Sequence, residues 1–220
     1  MKPAPFDYVA ATEMSEALDA MHQGGTEARV IAGGQSLVPM LNMRLARPAT
    51  LVDITRIPEL SRIEAKGDQV TVGAAVRQSA LERWPDLADR LPLVRAALPW
   101  VGHAQLRNRG TVCGSIAHAD PSAELPLCLI ALGGNVTLRS RRKTRTVAAR
   151  DFFQGMMSTD LAPGEMIVSV AFPARKDGTG FAFREVARRH GDFAIVACAA
   201  TARPDGTATL AVGGVADTPA

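Results

Sequence analysis

Two glycine-bearing segments constrain this chain more than any other feature. They are Ile31-Ala32-Gly33-Gly34-Gln35-Ser36-Leu37 and Gln105-Leu106-Arg107-Asn108-Arg109-Gly110-Thr111-Val112-Cys113-Gly114-Ser115. Each places small residues where an apolar strand gives way to a turn or a helix. Without a Cβ the backbone there turns through φ > 0 and approaches a neighbour or a ligand closely. Amides at the start of a helix receive an anion without any charged side chain. Neither segment is a GxGxxG fingerprint of a Rossmann βαβ unit, and no GK[ST] follows to make a P-loop. Two such junctions in one chain suggest a dinucleotide gripped from both sides.

Composition sets the bounds. A length of 220 residues suits one large domain or two small ones. Hydrophobic residues make up 47% of the chain and aromatics only 5%, so the expected core is sizeable and aliphatic. The net charge of +3 provides no concentrated basic face, and no recognised motif supports a nucleic-acid partner. No run of about 18 apolar residues occurs, so no membrane span is expected. The first residues, Met1 to Asp7, lack an apolar signal region. Cys113, Cys128 and Cys198 form no CxxC and no disulfide framework. They also fall short of the ligand set of an iron–sulfur cluster. The expected location is a reducing cytoplasm.

Hydrophobic patterning orders the chain. Met14, Ala17, Leu18 and Met21 share one face of a helix over Thr12 to Gln23, which Gly24-Gly25 ends. Strands are expected at 28–32, 51–54 and 69–75, with Ser36 and Ser79 as helix N-caps. This β-α-β-β-α rhythm predicts a small α/β subdomain in the first 80 residues. Helices follow over 91–106, broken at Pro99, and over 126–132, closed by Gly133-Gly134. Residues 135–138 and 145–147 read as paired strands, with Arg139-Ser140-Arg141-Arg142-Lys143 as a solvated hairpin turn or a phosphate site. The last stretch, with strands at 166–172, 181–186, 194–202 and 208–212, reads as an antiparallel meander with one apolar face. No helix follows it, so that face is expected to lack a cover from this chain.

The second glycine segment leads into residues able to do chemistry. Gly110 and Gly114 bracket hydroxyl and amide donors, and His118, Asp120 and Glu124 lie just beyond. A carboxylate beyond a phosphate loop accepts hydrogen bonds from ribose hydroxyls or an amine-bearing ring. The same acidic residues also suit a helix N-terminus. Arg107 and Arg109 read as salt-bridge partners or as anion ligands. His118 and Asp120 have no further ligand-type neighbour, so no metal site is expected, and no catalytic triad can be assembled from the spacing. Cys113 reads as a small space-filling residue.

Three segments, taken in order, carry a resemblance: Ala32 to Met40, Gln105 to Ser115, and Ala117-His118-Ala119-Asp120-Pro121-Ser122-Ala123-Glu124-Leu125-Pro126. Together they resemble the medium, FAD-binding subunit of bacterial molybdenum hydroxylases of the carbon monoxide dehydrogenase and xanthine dehydrogenase type, from about Phe6 onward. The resemblance implies an α+β, two-subdomain FAD-binding fold of the vanillyl-alcohol-oxidase type. Its FAD-binding domain would span 1–174, with subdomains of about 1–58 and 59–174. An incomplete antiparallel-sheet C-terminal domain would occupy 175–220, since the family normally continues with helices after a segment like Val215 to Pro219.

The resemblance also assigns roles. Ala32, Gly33, Gly34, Gln35 and Ser36, with Gly110, Thr111, Val112, Cys113, Gly114 and Ser115, would bind the pyrophosphate of a non-covalent FAD. Asp120 and Glu124 would contact the ribose or flavin side, Leu161 would pack near the adenine end, and Phe193 would offer a ring to the isoalloxazine. The family often has Gly where this chain has Cys113, and Tyr or Trp where it has Phe193. No residue of the chain need be catalytic. The molybdenum cofactor and the 2Fe–2S clusters would belong to a large and a small partner subunit, in a heterohexamer. Electrons would pass from the clusters to FAD and on to an external acceptor. The alternatives are a self-contained flavin-dependent oxidoreductase of the same fold and a non-catalytic assembly module.

Overall fold

The first of three main sheets is parallel. The computed structural model describes residues 2–220. Strands β1 (Asp7–Ala10), β2 (Ala28–Ile31) and β3 (Thr50–Asp53) lie in the order β1-β3-β2, with Val9 and Val30 both opposite Val52. Parallel neighbours need crossovers. Helix α1 (Met14–Gly24) joins β1 to β2, and α2 (Leu37–Asn42) lies between β2 and β3. Helix α1 buries Ala17, Leu18 and Met21 at helical spacing. Its first turn is held by Glu16, whose carboxylate accepts from the Thr12 and Glu13 amides (2.8 and 3.4 Å), and Gly25 ends it at φ 51°.

The second sheet is antiparallel and has five strands. Strands β4 (Ile63–Lys66), β5 (Gln69–Gly73), β6 (Asn135–Arg139) and β7 (Thr144–Ala148) belong to it. Strands β8 (Phe153–Gly155) and β9 (Ser158–Thr159) form a separate small hairpin, and β10 (Met166–Pro173) returns to the centre of the five rather than joining the C-terminal meander in which the sequence reading placed it. The order is β4-β5-β10-β6-β7, with an irregularity between Ile167 and Ser169. Between β5 and β6 the chain forms α3 (Gln78–Glu82), α4 (Leu87–Arg90), α5 (Pro92–Ala97), α6 (Ala104–Arg107), α7 (Val112–His118) and α8 (Glu124–Leu132). A last short helix, α9 (Ala149–Phe152), follows β7.

The third sheet, β11 (Gly180–Val186), β12 (Val196–Ala202) and β13 (Ala208–Gly213), is an antiparallel meander. Its inner face does not lack a cover. Phe183, Ala197, Ala199 and Ala211 are buried there, against α5 and α8. The sequence reading looked for a cover after the last strand, whereas the covering helices precede the sheet by some 50 residues or more. Helix α8 packs against both the second and the third sheet. That position explains a helix with Leu125, Leu127, Cys128 and Leu129 all buried, rather than one with a single apolar stripe. Each of its fully buried leucines contributes about 2 kcal/mol.

The 91–106 stretch is broken at Pro99 as expected, into two short helices joined by a 3-10 turn at Leu98–Trp100. Other local features differ from the sequence reading. Helix α3 takes Arg77, not Ser79, as its N-cap. Ser36 occupies the N-cap position of α2 without a side-chain cap hydrogen bond. Strands β1 and β4 were not anticipated.

Candidate functional site

The two glycine segments meet. A Cβ placed on Gly33 would lie 2.6 Å from Gly110 Cα and closer still to Arg109 O. Only a bare backbone allows that approach, so the loop after β2 rests directly on the turn before α7. Gly34 has φ +71°, a left-handed conformation that other residues adopt at a penalty. Gln35 Nε2 donates to Gly33 O at 3.0 Å and braces the turn. Val38 N donates to Gly34 O at 3.0 Å, so the preceding amides fall in the first helical turn, where intrahelical acceptors are lacking.

The second loop is built equally tightly. Thr111 Oγ1 accepts from Gly114 N at 3.0 Å and caps α7. A Cβ at Gly114 would fall 2.6 Å from that hydroxyl oxygen. Val112 and Cys113 face the core, and Cys113 Sγ donates to Val72 O at 3.5 Å. Burial pushes the Cys113 thiol well above its ordinary range, so it fills space and is not a nucleophile.

A cleft of about 830 Å³ opens at this junction, lined by Ala32, Gly33, Gly34, Gln35, Arg77, Arg109 and Thr111 among others. Its size falls within the range of small-molecule and cofactor sites. It lies where β2 and β3 end, the position at which parallel strands present ligands. The lining also holds a polar cluster that sequence reading missed, beside the first glycine loop, since Asp53 pairs with Ile31. Tyr8 donates its hydroxyl to Asp53 Oδ2, while Asp53 Oδ1 accepts from Thr55 N (2.8 Å) and Thr55 Oγ1 (2.7 Å). Burial pushes the Asp53 carboxyl up. The Tyr8 and Thr55 hydrogen bonds and the nearby Arg56 outweigh it and hold the group below the usual carboxylate range. The available signal was an acidic residue closing an apolar strand.

The arginines divide. Arg107 is structural: it pairs with Glu82 at 3.0 Å and donates to Val101 O and Gly102 O (3.2 and 3.3 Å). Arg109 lines the cleft, as does Arg77, which also donates to Asn108 O at 3.1 Å. The basic 139–143 segment is the β6–β7 turn, where Arg141 pairs with Asp19 on the surface.

The remaining candidates lie outside the cleft lining. Asp120 accepts from Ser122 N at 2.9 Å and shapes the turn into α8. Glu124 opens α8, nearly buried. Its carboxyl is pushed up to about 7 by burial, with the Glu185 and Asp120 carboxylates adding to the effect. Leu161 packs against the core, in a loop whose Asp160 and Glu165 both pair with Arg145. Phe193 is 74% exposed in the β11–β12 loop. That loop also carries His190, whose ring centroid lies 5.6 Å from that of Trp100.

The cradle fits FAD. Two loops stripped of side chains at their contact leave room for a pyrophosphate, and the polar Tyr8–Asp53–Thr55 cluster suits hydroxyl-bearing or amine-bearing groups. Comparison with known proteins agrees. Residues 4–175 match the family described as the FAD binding domain in molybdopterin dehydrogenase. The chain is 44% identical over 195 residues to the 6-hydroxypseudooxynicotine dehydrogenase complex subunit alpha of Paenarthrobacter nicotinovorans, covering 89% of this chain and 66% of that one. It is 39% identical over 206 residues to the carbon monoxide dehydrogenase medium chain of Hydrogenophaga pseudoflava, covering 94% and 72%. A solved carbon monoxide dehydrogenase from Hydrogenophaga pseudoflava superposes with a TM-score of 0.96 at 38% identity, over 100% of this chain and 78% of that one.

The chain therefore belongs to the FAD-binding domain family of the molybdopterin dehydrogenases, whose α+β fold it shares. It spans about two thirds of the length of the first of these relatives. Among the described residues no helix is long and apolar enough to cross a membrane.

Proposed function

We propose that this chain is the FAD-binding electron-transfer subunit of a molybdenum hydroxylase, receiving electrons from 2Fe–2S clusters of a partner and passing them to an external acceptor. The observation that carries the reading is the backbone contact of Gly33 with Arg109–Gly110, which makes one cradle of two glycine loops. Bound FAD supplies the redox chemistry. The residues of this chain bind and orient it. The amides of Ala32 to Ser36, with those of Thr111 and Cys113, face the pyrophosphate, while the amides of Gly110, Val112, Gly114 and Ser115 donate within the protein and hold the second loop in shape. Arg77 and Arg109 offset the pyrophosphate charge, and Tyr8, Asp53 and Thr55 offer polar contacts in the same cleft. Asp120, Glu124 and Leu161 shape the approaches, and Phe193 stacks on the flavin. In this reading the FAD-binding domain runs to about residue 174, with a subdomain boundary near residue 58.

The partners are a large subunit with the molybdenum cofactor and a small 2Fe–2S subunit, in a cytoplasmic heterohexamer. Support comes from relatives named as a complex subunit and as medium chains. The test is co-expression with both candidate partners, then size-exclusion chromatography with metal and flavin analysis. One peak with molybdenum, iron and FAD, in which substrate bleaches the flavin absorbance, is expected. A chain that elutes alone, away from both partners, contradicts the reading.

A further inference from the structure

Gln78 stands outside the lining of the cleft yet touches the loop that forms one of its walls. It opens α3 and is 4% exposed. Its backbone amide donates to Gly110 O at 2.9 Å, and Val112 N donates back to Val76 O at 3.0 Å. Its side-chain Nε2 reaches Thr111 O at 3.5 Å, while Oε1 is buried with no hydrogen-bond partner among the described residues. Turned round, the amide would set oxygen against the Thr111 carbonyl oxygen, so this orientation is the favourable one.

The two sides of one peptide explain the arrangement. A Cβ on Gly110 would fall 3.1 Å from Gln78 Oε1 and 3.3 Å from its Cδ. A Cβ on Gly33 would fall 2.6 Å from Gly110 Cα. The Arg109–Gly110 turn is thus clasped between the first glycine loop and the Gln78 amide. A buried acceptor without a partner lowers stability. Methionine, of similar length, would fill the same space without it, so folding alone does not call for glutamine here.

We propose that Gln78 is a positioning residue for the cofactor site. Its amide holds the Gly110–Thr111 turn against Gly33 and so sets the affinity for FAD of a cleft it does not line. The proposal rests on the reading of that cleft as the FAD site.

The test compares the 220-residue wild-type chain with Gln78→Met, Gln78→Ala, Gly110→Ala and the Gln78→Ala/Gly110→Ala double variant. Each is melted without FAD, then titrated with FAD by flavin fluorescence. Gln78→Met should melt at or above the wild-type temperature and bind FAD about tenfold more weakly, or ~1.4 kcal/mol. Gly110→Ala should weaken FAD binding much less in the Gln78→Ala background than in wild type, because the Gln78 amide occupies the space the new methyl needs. An FAD affinity of Gln78→Met within about twofold of wild type overturns the proposal, since a tenfold effect is the size of one lost anchoring contact. So does a fall in FAD affinity matched by a fall in the FAD-free melting temperature, or an additive double variant. If Gln78→Ala does not fold, Gln78→Met decides alone. A wild-type chain that takes up no FAD refutes the cleft reading itself. Wild type binding FAD while Gln78→Met binds equally well refutes only the role of Gln78.

Discussion

Replacing Gly33 with alanine should open the FAD cradle. The added methyl would sit 2.6 Å from Gly110 Cα, while carbon atoms at rest stand about 3.5–4.0 Å apart. The two loops must therefore part by about 1 Å. Overpacking of this kind costs about 1–3 kcal/mol of stability. A pyrophosphate spanning the two loops would then lose one or two charge-assisted hydrogen bonds of about 1.5–3 kcal/mol each. The expected weakening of FAD binding is roughly 10- to 20,000-fold. Gly34→Val works differently: it forces a β-branched residue to φ +71°, with Val38 Cγ2 3.1 Å from the new Cβ, and should also lose FAD. The assay is FAD titration alongside thermal melts of the FAD-free proteins. Gly33→Ala chains that bind FAD within about twofold of wild type, where an order of magnitude or more is expected, would refute the idea that contact between the loops builds the site.

Three further outcomes are expected. Burial pushes Glu124 and Glu185 up to about 7 from an ordinary value of 4.5, and both Glu185 oxygens lack a hydrogen-bond partner among the described residues. A folded-state pKa above the unfolded one gives stability that is intact below pH 4.5 and lost as pH rises through about 7. Glu185→Gln should therefore melt with wild type at acid pH and above it at pH about 8, and identical melting at both pH values would count against it. Phe193→Ala should shift the flavin spectrum or potential with only modest FAD loss, since a stacked ring contributes about 1 kcal/mol; an unchanged spectrum and potential remove Phe193 from the site. Acid precipitation should release the flavin into the supernatant, and colour retained in the pellet would contradict non-covalent binding.

The fold was legible where side-chain period speaks for itself. Helix α1, the β6–β7 hairpin and the third sheet follow from spacing and turn residues. The cover on the third sheet was not legible, because α8 owes its all-round apolar character to contacts far apart in sequence. The glycine loops were visible as motifs, and Gly34 carries the positive φ expected of one. Their mutual contact was not, since nothing in Gly33 names Gly110 as its neighbour. Tyr8, Asp53 and Gln78 escaped notice for the same reason. Each looks ordinary along the chain; the pairing of β1 with β3 brings Tyr8 to Asp53, and an isolated bridge between Arg77 and Thr111 brings Gln78 to Gly110.

The most direct test of the central claim is a calorimetric titration of the FAD-free chain with FAD and, separately, with riboflavin. Both carry the isoalloxazine ring, but only FAD has the pyrophosphate that the proposed site sets between the Gly33-Gly34 and Gly110-Thr111 loops. The expected result is one FAD per chain, with riboflavin bound at least ~100-fold more weakly for want of the charge-assisted contacts. Riboflavin binding as tightly as FAD, or no binding of either, would contradict the account.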